Sequence, residues 1–556
     1  MRQRIEAIRS DPNYDIRQFI DTVAADIRDL ERFHNISISP TRRARFEEYY
    51  KSSLSSLQDF PFQHLNQDGK IDYLLIQNFL ERGLRQLGLT AEKDEKTEPL
   101  LGFAPGIVGL CEDRQNMKKM DGKKGAQDVF EIEKLIAETR IKILAEEITV
   151  DKTSAYRAAR TVDELRARLE EWYGFFSGYD PLFSWWVKDP YAKVKKQLEE
   201  LPAVIRKTLV GIDPEDNDAI VGDPVGREGL LAELEAEMIP YTPEELLEIG
   251  ESEYVWCEAE MKKASRELGY GDEWRDALEY VKNLYVEPGS QPDLIRFLAH
   301  EATEYVEKHD LVTVPRIAKE NWCMLMMAPE RQKVNPFFLG GTNIIVSYPT
   351  DTMEHEDKMM SMRGNNIHFS RSTVFHEMIP GHHLQFHMMV RYKPHRNMFT
   401  TPFWIEGWSL YWEMILWDKK FPKTPENRIG MLFWRMHRCA RITFSLKFHL
   451  GQISPQECID LLVDKVGHER ATAEGEVRRS FAGDYSPLYQ AGYMLGALQL
   501  YSLRKELVES GKMKEKEFHD RVLQANMMPI ELLRAFLKDQ HLSTEFKPSW
   551  RFYDGR

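Results

Sequence analysis

Apolar positions recur at helical spacing through most of this 556-residue chain, so the pattern predicts a mainly α-helical protein. Between Ile16 and Phe33, the residues Phe19, Ile20, Val23, Ala24, Ile27 and Leu30 form one stripe, and a further helix is predicted over Tyr73–Leu87. Residues 98–125 break the pattern with prolines, glycines and the pairs Lys118-Lys119 and Lys123-Lys124, and predict a loop-rich connection. Helices return from Ala126 to Lys207, interrupted near Gly178-Tyr179-Asp180-Pro181. Trp172, Tyr173, Phe175, Phe176, Phe183, Trp185 and Trp186 crowd this interruption, and aromatics at such density predict an interhelical core. Thr242-Pro243-Glu244-Glu245 and Ser454-Pro455-Gln456-Glu457 each read as a helix start, with a hydroxyl cap, proline in the first turn and a glutamate closing a capping box. Strand patterns appear at Leu311–Val314 and at Asn343–Tyr348, the second led in by Gly340-Gly341.

Length allows two or three domains or one large helical enzyme. A net charge of −14 argues against nucleic acid or an anionic membrane surface as partner. The five cysteines are scattered without a Cys-x-x-Cys pair, which excludes a Cys-rich zinc module and a disulfide framework. No apolar run is long enough to span a bilayer. Met1-Arg2-Gln3-Arg4-Ile5 leads into charged residues rather than a leader's apolar core, so a cytoplasmic location is expected. Asp68-Gly69 suggests a calcium loop, but that alignment puts His64 and Leu75 at the loop's first and twelfth positions, and the glutamate needed at its end is missing.

The chemistry-bearing stretch is His376-Glu377-Met378-Ile379-Pro380-Gly381-His382-His383-Leu384-Gln385. In His-Glu-x-x-His zinc hydrolases, two histidines one turn apart hold the metal and the glutamate activates water. Here Pro380 stands where the second histidine belongs. Proline lacks the N–H that would reach the His376 carbonyl, so a bulge or break is expected at Pro380-Gly381. Looping out two residues brings His382 to the ligand position. His383 keeps the angular phase of His376 but lies about 10 Å along the axis, and stands as the alternative. Downstream, Phe403–Glu413 is apolar and aromatic yet carries Glu406 and Glu413 on one helical face; buried carboxylates need a cation or hydrogen bonds.

His-Glu-x-x-Pro-Gly-His-x-x-Gln followed by Glu-Gly-Trp-x-Leu-Tyr-x-Glu resembles the family known as domain of unknown function 885, which is grouped with the gluzincin peptidases; the likeness extends over roughly residues 220–510. It implies Zn²⁺ held by His376, His382 and Glu406, with Glu377 activating water. It further implies a cleft-lining strand at Asn343–Tyr348, with Tyr348 at the substrate. A third block, Glu476 to Gly496, fits the family at Arg479, Pro487, Tyr493 and Gly496. It departs at Ser480 and at Leu488-Tyr489, which leaves substrate contacts open. Tyr493 is the candidate donor to a tetrahedral intermediate, with Tyr489 and Tyr485 behind it. Arg479 and Tyr489 are candidate substrate contacts, Arg479 having a salt bridge to Glu476 as its other reading. Gln385, Glu413 and His383 are candidates for orienting the ligands. The resulting expectation is a two-lobed helical gluzincin-like metallohydrolase with a small sheet beside the zinc helix, lobes at 1–290 and 291–556, cleaving short peptides or small amides. The alternatives are a non-peptide amide hydrolase of small-molecule metabolism and a helical scaffold with a degenerate metal site.

Overall fold

A computed structural model describes residues 11–213, 216, 219–332, 337–481, 483 and 485–555. The described chain is mainly helical, with one two-stranded sheet. It divides into two compact units, one made of Gln18–Phe60 and Phe79–Asp223, the other of the remaining residues.

In the first unit, helices α1 (Gly122–Leu144), α2 (Lys152–Phe176) and α3 (Pro181–Ile205) enclose a core that includes Val129, Ile132, Leu165, Trp172, Phe183 and Val187. Asp121, Asp151 and Asp180 cap them, each side chain accepting backbone N–H groups of the first turn. Only part of the aromatic crowd joins this core. Trp172 and Phe183 are buried edge to face, with centroids 5.1 Å apart, whereas Phe175, Tyr179, Trp185 and Trp186 are exposed. The helical period explains the difference: Val187, not Trp186, continues the stripe from Phe183. The segment expected as loop contains the helix Ala104–Gln115, with Ile107, Val108 and Cys111 in the same core. Pro105 lies in its first turn, where the missing N–H costs nothing.

The second unit carries the remaining chemistry. The boundary at 290 does not coincide with the division of contacts, because α4 (Pro243–Glu267) packs Leu246, Ile249, Cys257 and Met261 into this unit. Both predicted capping boxes are present, Thr242 with Glu245 and Ser454 with Glu457. The helix expected from Tyr73 begins at Gln67 instead, since Asn66 accepts the Gly69 N–H at 3.1 Å and makes Asp68-Gly69 a first helical turn. Asp72 on that helix is buried against Arg396 at 2.6 Å. Burial pushes its carboxyl up, but Arg396 and His395 overrule this and hold it near about 2.

The sheet pairs β1 (Met324–Met326) with β2 (Ile344–Val346) in parallel. The strand read at Asn343–Tyr348 is therefore shorter than expected, because Gln332 accepts from Ser347 Oγ and the Tyr348 N–H at 2.9 and 3.0 Å. Leu311–Val314 is not a strand. The Leu311 carbonyl bonds the His519 ring and the Thr313 N–H donates to Asp520, so side chains occupy the groups a ladder would need.

Four helices and a short fifth frame the site: α5 (Ile367–Glu377), α6 (His382–Met389), α7 (Pro402–Asp418), α8 (Pro425–His449) and α9 (Tyr489–Arg504). α7 and α9 approach closely. Gly407 faces the Gly496 backbone, a Cβ at Gly496 would overlap the Phe403 carbonyl oxygen, and one at Gly492 would stand 2.9 Å from Pro402. Gly496→Ala is therefore expected to destabilise the protein by about 1–3 kcal/mol through overpacking. The exposed Gly174 of α2 has nothing within 4 Å of such a Cβ, and Gly174→Ala should stabilise by about 0.5–1 kcal/mol. Urea denaturation of both variants reads the opposite signs; equal shifts would remove the steric account of the α7–α9 contact.

Candidate metal centre

Asn366 starts α5 by accepting the His368 and Phe369 N–H groups, and Phe369 anchors it by stacking on Phe433 of α8 at 4.1 Å. The helix stops at Glu377. Met378 leaves helical geometry at φ −108°, ψ −117°, a cis Ile379–Pro380 bond follows, and α6 begins at His382. The expected break is thus complete, with four residues looped out. Pro380 offers no N–H to the His376 carbonyl; the Gly381 N–H bonds the Phe375 carbonyl at 3.0 Å instead. Gly381 passes so close to the His376 carbonyl oxygen that any Cβ there would overlap it. The Trp408 indole N–H fastens the loop to α7 through the Pro380 carbonyl at 2.9 Å.

The loop brings His382 to His376. Candidate ligand atoms of His376, His382 and Glu406 lie within 4.8 Å of one another, and all three residues are buried. His382 Nε2 is 3.1 Å and His376 Nε2 is 3.7 Å from the same Glu406 oxygen. Each imidazole is held from behind, His376 Nδ1 by Glu413 at 2.8 Å and His382 Nδ1 by Gln385 at 3.3 Å. An oxygen facing Nδ1 places the proton there and leaves the Nε2 lone pair for a cation. These holders are themselves held: Ser372 Oγ donates to Glu413 at 3.2 Å, and the Gln385 amide donates to the Trp404 carbonyl at 2.9 Å. The Tyr489 hydroxyl donates to the second oxygen of Glu406.

The electrostatics match a cation cradle. Burial works to lower the His376 pKa, but hydrogen bonds with Glu406 and Glu413 raise it to about 9. Burial works to raise Glu406, yet the charge of His382 and the bond from His376 hold it well below the usual carboxylate range. Two imidazole nitrogens and a carboxylate oxygen are the donor set of catalytic zinc sites, so the residues present fit that ion.

His383 does neither of the things expected of it. Its two ring nitrogens face the Gly341 and Ala318 carbonyls at 2.9 and 2.8 Å, so it is no ligand and orients none; it ties α6 to the Arg316–Glu320 helix and to the segment before β2. Glu377 is half-buried under that segment, where a side chain at Gly340 would collide with its carboxylate. Tyr493 lies nearly parallel to His376, with centroids 6.3 Å apart at 15°. Burial and Glu406 push its hydroxyl up to about 12 against three arginines, so it stays protonated at neutral pH. Arg479 Nε donates to the Tyr485 hydroxyl at 3.0 Å, while Glu476 pairs with Arg441 at 2.6 Å, so the other reading of Arg479, a bridge to Glu476, is not formed. Tyr348 is held through its backbone by Gln332. Sequence reasoning missed Arg438 and Arg441, although the spacing Arg435, Arg438, Arg441 within the apolar run of α8 signals cations in a buried helix face.

The sequence profile of the bacterial proteins of unknown function grouped as DUF885 matches residues 30–537. The chain belongs to that family. The match is wider than the 220–510 stretch its motifs suggested. No curated protein matches the chain. Two solved structures share its fold. One, described as a "putative lipoprotein of unknown function" from Shewanella oneidensis, has a TM-score of 0.68 at 17% identity over 94% of this chain and 99% of its own. The other, described as a "putative lipoprotein" from Colwellia psychrerythraea, has a TM-score of 0.61 at 15% identity over 95% and 99%. The cytoplasmic placement expected from the sequence is corrected by these relatives, whose descriptions are those of lipid-anchored proteins. An acyl anchor needs no spanning helix, so the lack of one among the described residues does not bear on location. The Met1–Ile5 reading lies outside the described residues.

A pH dependence follows for the metal-free protein. Because the folded pKa of His376 is raised, its contribution is present below about 6.5 and is lost as pH rises through about 9. The urea midpoint of chelator-treated protein should fall across that window, and Glu413→Gln should flatten the fall. A profile that does not change between the two proteins would remove Glu413 as the holder of His376.

Proposed function

We propose that this family member is a zinc-dependent hydrolase of peptide or amide bonds in short peptides or small molecules, built on the gluzincin plan. The observation that carries the reading is the convergence of His376, His382 and Glu406 beside Glu377, across a chain break that the ordinary motif lacks. Zinc, when bound there, supplies a Lewis acid that polarises a carbonyl and makes water acidic. Glu377 accepts the proton of the attacking water and returns it to the leaving nitrogen. Tyr493, protonated and next to His376, donates to the oxygen that gains charge. Tyr489 and Glu413 act as positioning residues, one holding Glu406 and the other His376.

Two measurements test this reading. Metal analysis of protein purified without chelator should give about one zinc per chain. His382→Ala should lose the metal, and His383→Ala should keep it at some cost in stability; the reverse would exchange their roles. Glu377→Gln should retain zinc and lose roughly 10²–10⁴-fold in turnover, since the amide keeps the shape and removes the proton acceptor. Normal turnover in that variant removes the mechanism. The ligands are nearly inaccessible, 2% exposed at His376 and 5% at Glu406, so short flexible substrates should be cut and folded proteins left intact.

A further inference from the structure

Arginine is almost never buried without an anionic partner. Arg438 of α8 is an exception. It is 8% exposed, and no carboxylate among the described residues lies within ion-pair distance of it. The acids whose charge reaches it, Glu413 and Glu476, are committed to His376 and Arg441 respectively. One turn on, Arg441 is 3% exposed, and its Nη1 has no hydrogen-bond partner although its other edge holds Glu476. Both guanidiniums sit over the Tyr493 ring, at 4.9 and 4.3 Å from its centroid. Arg479 adds a third cation, engaged with the Tyr485 hydroxyl and ring. Among the described residues, Arg441 is the one of these three cations in an ion pair, with Glu476. The excess shows in His437 on the same helix, which burial and Arg441 hold well below the ordinary imidazole range. Among the described residues the positive charge here exceeds the negative, in a chain of net charge −14, and an external anion would balance it.

The other neighbour of Tyr493 identifies that anion. His376 lies 6.3 Å from the same ring, so the arginines stand one aromatic ring away from the metal triad. An extended residue covers about 3.3–3.6 Å, so a carboxylate at the arginines belongs one to three residues beyond a bond held at the triad. We propose that Arg438, with Arg441 and Arg479, holds a substrate carboxylate, the free C-terminus of a short peptide. The inference rests on the hydrolase reading and narrows it to cleavage near a peptide's C-terminal end. Guanidinium suits this task because its planar fork stays charged and meets a carboxylate with two parallel N–H bonds.

The test separates this proposal from the reading beneath it. Full-length Glu377→Gln protein is titrated calorimetrically with Ala-Ala-Ala, its C-terminal amide, and Ala-Ala-Asp amide. The free acid should bind about tenfold or more tightly than its amide, as a charge-assisted hydrogen bond implies. Arg438→Gln, with its fold checked by circular dichroism, should lose that preference. With the wild-type protein, amidation of a cleaved peptide should raise KM and leave kcat little changed. Equal binding of all three ligands overturns the proposal whether or not peptides are hydrolysed. Tight binding of the aspartyl amide keeps the carboxylate site, transfers its source to a side chain and overturns the C-terminal assignment. A preference for the acid without hydrolysis of any peptide by the wild-type protein keeps the site and overturns the hydrolase reading.

Discussion

The rest of the site depends on the burial of two carboxylates in one apolar helix. Glu406 and Glu413 project from one face of α7, both buried, and a carboxylate so placed is tolerable only beside cations or donors. Each therefore determines where its neighbours stand. Glu413 takes one ring nitrogen of His376 together with the Ser372 hydroxyl, and Glu406 draws in both imidazoles and the Tyr489 hydroxyl. α5, α6 and α9 are brought to α7 by polar bonds at their inner ends and by apolar packing elsewhere.

Close backbone approach makes these contacts possible, and glycine supplies it at two places. Gly381 lets the chain fold back on the His376 carbonyl, so that a histidine two residues beyond the ordinary spacing still reaches Glu406. Gly407 and Gly496 let α7 and α9 approach closely, bringing Tyr489 and Tyr493 to Glu406 and His376. At neither place does glycine serve for a positive φ. It serves because a Cβ has nowhere to go.

The surroundings of Tyr493 show how one side chain can join two electrostatic regions. Towards α5 it borders the acidic cradle of Glu406 and Glu413, and towards α8 it carries two guanidiniums against its ring. Its phenol is buried between opposite fields, and burial with the charge of Glu406 prevails over the arginines to keep it protonated. Negative charge gathers on the His376 side of the ring and positive charge on the α8 side.

The helical class, the break at Pro380-Gly381 and the convergence of His376, His382 and Glu406 were legible in the sequence because each depends on local chemistry. Proline cannot donate, a histidine six residues on needs a loop, and carboxylates among tryptophans need partners. The capping boxes at Thr242 and Ser454 were legible for the same reason. What the sequence left open was decided by partners distant along the chain. Leu311–Val314 has strand composition, but His519 and Asp520 take its backbone groups. His383 has the chemistry of a ligand, but Ala318 and Gly341 occupy both its nitrogens. Trp185 and Trp186 have the composition of core, but helical phase turns them to solvent. Arg438 and Arg441 carry no motif, and only the fold of α9 places Tyr493 against them. Local sequence determines which groups a residue offers, and only tertiary structure decides which other groups reach them first.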